Sequence, residues 1–267
     1  AFAQMTQVSD PSVGAEQGAF ASIFGPDPIG LLGVVILTSL GTWGLPQMVQ
    51  KFYAIKDEKS IKKGTIISTI FALVVAGGSY FLGGFGRLFS DEIDVAANGY
   101  DSIIPTMLSG LSPMLIALVV ILVLSASMST LSSLVIASSS TLTIDFLKDN
   151  FIKDMNDKKQ VLSIRILVVV FIAISSILAL IQYKSSITFI AQLMGVSWGA
   201  LAGSFLAPFM YSLYSKRVTK ASCWVCFIFS SVLMIANIFF RSSFPTIMQS
   251  PINCGAIAML AGLVIVP

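Results

Sequence analysis

Residues 124–147 read LSASMSTLSSLVIASSSTLTIDFL, and the reading of this stretch decides the fold. It belongs to an apolar run, starting at Pro113, that is long enough to cross a bilayer. Hydroxyl side chains crowd it, with Ser125, Ser127, Ser129, Thr130, Ser132 and Ser133 in consecutive turns. Small hydroxyl residues let membrane helices pack closely, and most of these serines are read in that way. Ala126, Ser129 and Thr130 are read differently. In a helix the hydroxyls at i+3 and i+4 lie over the carbonyl of residue i, because side chains point back toward the N-terminus. Three uncharged oxygens therefore converge. A small hard cation such as sodium takes oxygens of this kind, so the spot reads as half of an ion site completed by another helix.

The composition supports the membrane reading. Of the 267 residues 55% are hydrophobic and 11% charged, with a mean hydropathy of +0.89, whereas a soluble domain carries about 25% charged residues. Long apolar runs rather than short alternating ones favour helices over barrel strands. The expected fold class is an all-α membrane protein. The chain has no histidine, which excludes histidine-based acid–base catalysis, Ser-His triads and His-ligated metal sites. Cys223 and Cys226 form a CxxC inside an apolar run, with no second pair to complete a zinc site, and they and Cys254 read as helix-packing residues. There is no paired intramembrane acid either, so an intramembrane enzyme is disfavoured and no organic cofactor is implied.

Seven membrane helices are expected, over about 29–52, 64–89, 113–148, 161–183, 185–214, 221–240 and from 252 onward. Residues 1–28 read as an extracellular loop, the lysine-rich 56–63 as a loop, and 90–112 as an outer connection with a short helix at 103–109. The chain starts at Ala1 and stops at Pro267 within an apolar run, which reads as a piece of a longer protein with a truncated last helix. Thirteen of the sixteen basic residues fall on one set of connections, from Lys51 to Lys63, Lys148 to Arg165 and Lys216 to Lys220. That side is expected to be cytoplasmic, which places the N-terminal end outside. The net charge of +3 is then a matter of topology and implies no nucleic-acid partner. Ser129 lies sixteen residues past Pro113, so it sits about 24 Å along its helix, beyond the midplane of a hydrocarbon layer about 30 Å thick.

The first helix carries a second unusual feature, SLGTWGLPQMVQKF at residues 39–52. Gly41 and Gly44 weaken the helix, and Pro46 has no amide to donate and clashes with the carbonyl of Thr42. A break is expected between Thr42 and Pro46. Broken membrane helices mark substrate sites in secondary transporters, although a plain proline kink used for packing is as common. In the fifth helix Gly199 and Gly203 form a GxxxG, whose ordinary meaning is close packing.

Together these features resemble the sodium:solute symporter family, in its bacterial proline-permease-like branch. One helix of that family carries a motif like A-x-M-S-T followed by T-x-D-[FLY]. This chain has Ala126-Ser127-Met128-Ser129-Thr130 and then Thr143-Ile144-Asp145-Phe146. Its Trp43-Gly44-Leu45-Pro46-Gln47 is similar to the family's aromatic-Gly-x-Pro segment, with Thr42 where many members have a gating tyrosine. The resemblance implies the second half of a leucine-transporter-like inverted-repeat fold, with second-repeat core helices over 29–214, extra C-terminal helices over 215–267, and a first half absent from this sequence. It implies sodium ligation by the Ala126 carbonyl and the Ser129 and Thr130 hydroxyls. Ser39, Thr42, Trp43 and Pro46 then contact or gate the solute, with Gln192 and Trp198 as candidates from the fifth helix. The implied function is sodium-coupled symport of a small organic solute, such as the amino acid proline, across the cell membrane. The alternative is the transporter-like sensory domain of a signalling protein; a passive channel would show flux without sodium.

Overall fold

The computed structural model describes residues 2–10, 14–92, 99–185, 190–216 and 218–266. Its main elements are α1 (Pro28–Gly44), α2 (Pro46–Tyr53), α3 (Glu58–Gly84), α4 (Ile103–Ser109), α5 (Pro113–Thr141), α6 (Asp157–Ser185), α7 (Ile190–Tyr214), α8 (Lys220–Phe239) and α9 (Pro251–Ile265). Among the described residues the only β pairing is an isolated bridge between Asp10 and Ala15. Among the described residues five stretches are long and apolar enough to cross a membrane: Glu58–Phe89, Pro113–Lys148, Asp157–Lys184, Ile190–Tyr214 and Lys220–Phe239. α1 and α9 are apolar but shorter, at 17 and 15 residues.

The chain divides into two compact units, Ala1–Thr106 with Thr188–Pro267, and Met107–Ile187. In the first unit α7 is the central helix, packed by α1, α8 and α9. Glycine makes this possible, because a helix without side chains on one stripe lets a neighbouring main chain come into contact. A Cβ placed on Gly199 would stand 2.6 Å from the Cα of Gly255, and one on Gly44 would stand 2.9 Å from the Cα, Cβ and carbonyl oxygen of Ala202. α7 thus touches α9 and the end of α1 through backbone. Around these seams Leu37, Ala202, Leu206 and Met259 form a buried cluster, and Met234, Cys254 and Ala258 form another. Cys226 is buried against Ala207 and Val266, and its thiol points at the carbonyl of Gly203 at 3.3 Å.

The second unit is a pair of packed helices, α5 and α6. Past Thr141 α5 widens into a π-helix over Leu142–Lys148. Ser139 and Thr143 are fully buried near this transition, and neither hydroxyl has a hydrogen-bond partner among the described residues.

Several boundaries differ from expectation. The lysine-rich 56–63 stretch is not a loop, because α3 starts at Glu58. Asp57 caps it, its carboxylate accepting from the Ser60 amide at 2.7 Å, and Lys and Glu are good helix formers once a cap is present. α3 ends at Gly84, and residues Phe85–Glu92 continue as 3-10 turns rather than α-helix. α6 starts at Asp157, four residues before the expected 161, and runs to Ser185, where the fifth helix was expected to start; residues 186–189 lie outside the described residues.

Candidate functional site

Residue types set the local geometry around the break in the first helix. α1 runs to Gly44 and α2 starts at Pro46, leaving Leu45 extended at φ −85°, ψ 116° and buried. Proline supplies no amide for the Thr42 carbonyl. The amides of Met48 and Val49 turn instead to the Leu45 carbonyl, at 2.9 and 3.2 Å. Upstream, the Thr42 hydroxyl donates to its own helix, to the carbonyls of Thr38 at 2.8 Å and Ser39 at 3.0 Å. That back-bonding occupies Thr42 and favours a bend.

α1 has two faces. Leu37, Gly41, Gly44 and Leu45 are buried, whereas Ser39 and Trp43, four residues apart and so on one face, are exposed, Trp43 to 51%. Pro46 is half-buried. Trp198 of α7 is half-buried against the α1 side of the core, and a Cβ on Gly41 would meet its ring at 3.2 Å. Trp198 is thereby brought next to the break, while Trp43 and Ser39 lie on the exposed face of α1. Gln192 lies at the start of α7, and its carbonyl oxygen accepts from the Arg241 guanidinium at 3.4 Å. The same guanidinium donates to the Gln249 carbonyl at 2.7 Å. This clasp joins residues 49 apart in sequence, and no local pattern signals it.

The second unit carries its own candidate feature, on α5. The Ser129 hydroxyl donates to the Ala126 carbonyl at 2.9 Å. The Thr130 hydroxyl carries no hydrogen bond among the described residues, and its carbonyl accepts from Ser133 at 2.8 Å. An open depression of about 460 Å³ lies along this face, lined by Ala126, Ser127, Thr130, Leu131 and Leu134. Ala126, Ser127 and Thr130 carry its polar lining, beside the apolar Leu131 and Leu134; Ser129 lies outside the lining and reaches the group through its bond to the Ala126 carbonyl. Such a set suits a monovalent cation that must be released, since no carboxylate holds it. Within the second unit Ala126 and Ser129 are joined by this bond, and Ala126 and Thr130 line the depression; Asp145 is exposed in the π turn, further along the same helix.

The description of the sodium:solute symporter family matches residues 6–230. The chain belongs to this family. Sodium is the coupling ion of the sodium:solute symporter family, and the long apolar helices of this chain fit a multi-pass membrane protein. Similar curated proteins include the osmoregulated proline transporter OpuE of Bacillus subtilis, 25% identical over 85% of this chain and 45% of that protein. The high-affinity proline transporter PutP of B. subtilis is 28% identical over 71% and 40% of the two chains. A sodium/proline symporter of Haemophilus influenzae is 26% identical over 88% and 47%. The chain spans less than half the length of each of these symporter-family relatives. No solved structure matches it.

Proposed function

We propose that this chain is the second half of a sodium-coupled symporter that imports a small organic solute, with proline or a similar amino acid as the substrate class. The observation that carries the reading is the Ser129 hydroxyl bonded to the Ala126 carbonyl on α5, with Thr130 lining the depression beside Ala126, in a member of the sodium:solute symporter family. These oxygens are half of a sodium site whose remaining ligands come from the part of the transporter outside this sequence. α1, α3, α5, α6, α7, α8 and α9 each cross the bilayer in a leucine-transporter-like arrangement, with the lysine-rich ends cytoplasmic and the N-terminal end outside. Residues 1–28 then form an extracellular loop, 29–214 the second-repeat core and 215–267 the extra C-terminal helices. Sodium binding raises solute affinity and biases the outward-open state. Ser39, Thr42, Trp43 and Pro46 line the solute path at the break, and Trp198 and Gln192 border it from α7. The proline relatives, at 25–28% identity, support the substrate class.

The test is uptake of labelled proline by the full-length protein across a range of sodium concentrations. Ser129→Ala and Thr130→Ala each remove one oxygen ligand and are expected to raise the sodium concentration for half-maximal uptake about tenfold, the equivalent of one charge-assisted contact of about 1.5 kcal/mol. Wild-type sodium dependence in both variants refutes the ion site.

A further inference from the structure

α6 presents a second feature that the transport reading leaves unused. An open groove of about 510 Å³ runs along its first turns, lined by Asp157, Lys158, Val161, Leu162 and Arg165. These positions follow one helix stripe at steps of three and four residues. Lys158 and Arg165 stand at its two ends, seven residues and so about 10 Å apart along the axis. Between them Val161 and Leu162 are exposed, Leu162 to 58%. Arg165 is exposed and lies inside the apolar run, and neither it nor Lys158 has an ion-pair partner among the described residues.

An unpaired guanidinium within a membrane helix is costly unless it reaches an anion or the interface. Two cations bracketing an apolar strip fit an amphiphile that carries a negative headgroup on a hydrocarbon chain. Lys153 and Lys159 add positive charge at the same end of the helix, against Asp154 and Asp157. We propose that this groove is a binding site for an anionic phospholipid. Its phosphate lies at the Lys158 end, where the Arg165 guanidinium reaches back along the helix to the phosphate oxygens, and the start of an acyl chain covers Val161 and Leu162.

The test uses the full-length transporter in detergent, titrated with dioleoyl phosphatidylglycerol, dioleoyl phosphatidylcholine or inorganic phosphate, with bound lipid counted by native mass spectrometry. Phosphatidylglycerol is expected to bind the native protein in preference to phosphatidylcholine. Lys158→Gln and Arg165→Gln each weaken that binding about fivefold, the worth of one cation near an anionic surface. Arg165→Lys retains most of it, which separates loss of charge from loss of fold. Should Arg165→Gln fail to fold, Lys158→Gln carries the comparison. The proposal is overturned if phosphatidylcholine binds equally, if the Gln variants bind phosphatidylglycerol as the native protein does, or if inorganic phosphate at matching concentration displaces the lipid fully. It is also overturned if Arg165→Gln destabilises the lipid-free protein while leaving lipid binding intact, since Arg165 would then pair within the protein.

Discussion

Gly44→Ala is the most direct probe of how the broken helix is held. Gly44 is the last residue of α1, and the added methyl would lie 2.9 Å from three atoms of Ala202, two of them backbone. Ordinary contact begins at 3.4 Å, so α1 or α7 must retreat by about half an ångström along a seam that has no flexible side chain to yield. Overpacking of this kind costs about 1–3 kcal/mol. Gly64→Ala is the matched control: it lies inside α3 with nothing within 4 Å of the added methyl. There alanine gains up to about 1 kcal/mol of helix propensity. Denaturant unfolding of the two full-length variants in mixed micelles is expected to separate them by about 1–4 kcal/mol, with Gly44→Ala the weaker. Equal stability would refute the backbone contact between α1 and α7.

Two further outcomes are expected, beside the sodium dependence of the Ser129 and Thr130 variants. Ser39→Ala and Trp43→Ala in the full-length transporter are expected to change solute affinity or choice severalfold while leaving the sodium requirement in place, as measured by competition among labelled solutes; unchanged uptake of every solute rules out their place on the path. Asp57 caps α3, and its bond from the Ser60 backbone, reinforced by the Ser60 side chain, holds the carboxyl below its ordinary 3.8. A lowered folded-state value means that the cap contributes fully above 3.8 and is lost as the pH falls below it through the folded value. Protection of the Ser60 amide against exchange, taken relative to its intrinsic rate at each pH, therefore falls over that acidic window, a fall absent in Asp57→Asn.

The break in α1 was legible because its cause is local. Pro46 lacks an amide, two glycines precede it, and the chain turns extended at Leu45, inside the expected interval. The juxtaposition of the Ser129 hydroxyl and the Ala126 carbonyl was legible for the same reason, since a spacing of three along a helix fixes it. The start of α3 was misread because charge was weighed above capping: Asp57 and Ser60 were visible as a cap pair, yet four lysines suggested a solvated loop. The Gln192–Arg241 clasp joins distant residues and had no local signature. Nor did the π turn, which depends on how Leu142–Lys148 is accommodated rather than on any one residue type. The GxxxG of Gly199 and Gly203 read as close packing, and Gly199 meets Gly255 at backbone distance.

The π turn of Leu142–Lys148 has a consequence for how this helix tolerates change in length. A π turn is an α-helix carrying one surplus residue. Deleting a residue from an α-helix swings everything beyond it by about 100°. Inside this turn the same deletion has somewhere to be absorbed: the ring closes to α geometry, and the faces on either side keep their partners. Residues 142–148 are thus where α5 accepts a one-residue deletion with least disturbance, whereas a deletion between Pro113 and Ala126 would turn the oxygens of Ala126, Ser129 and Thr130 away from whatever lies opposite. A deletion scan along α5 that reads both folding and uptake would map this difference directly.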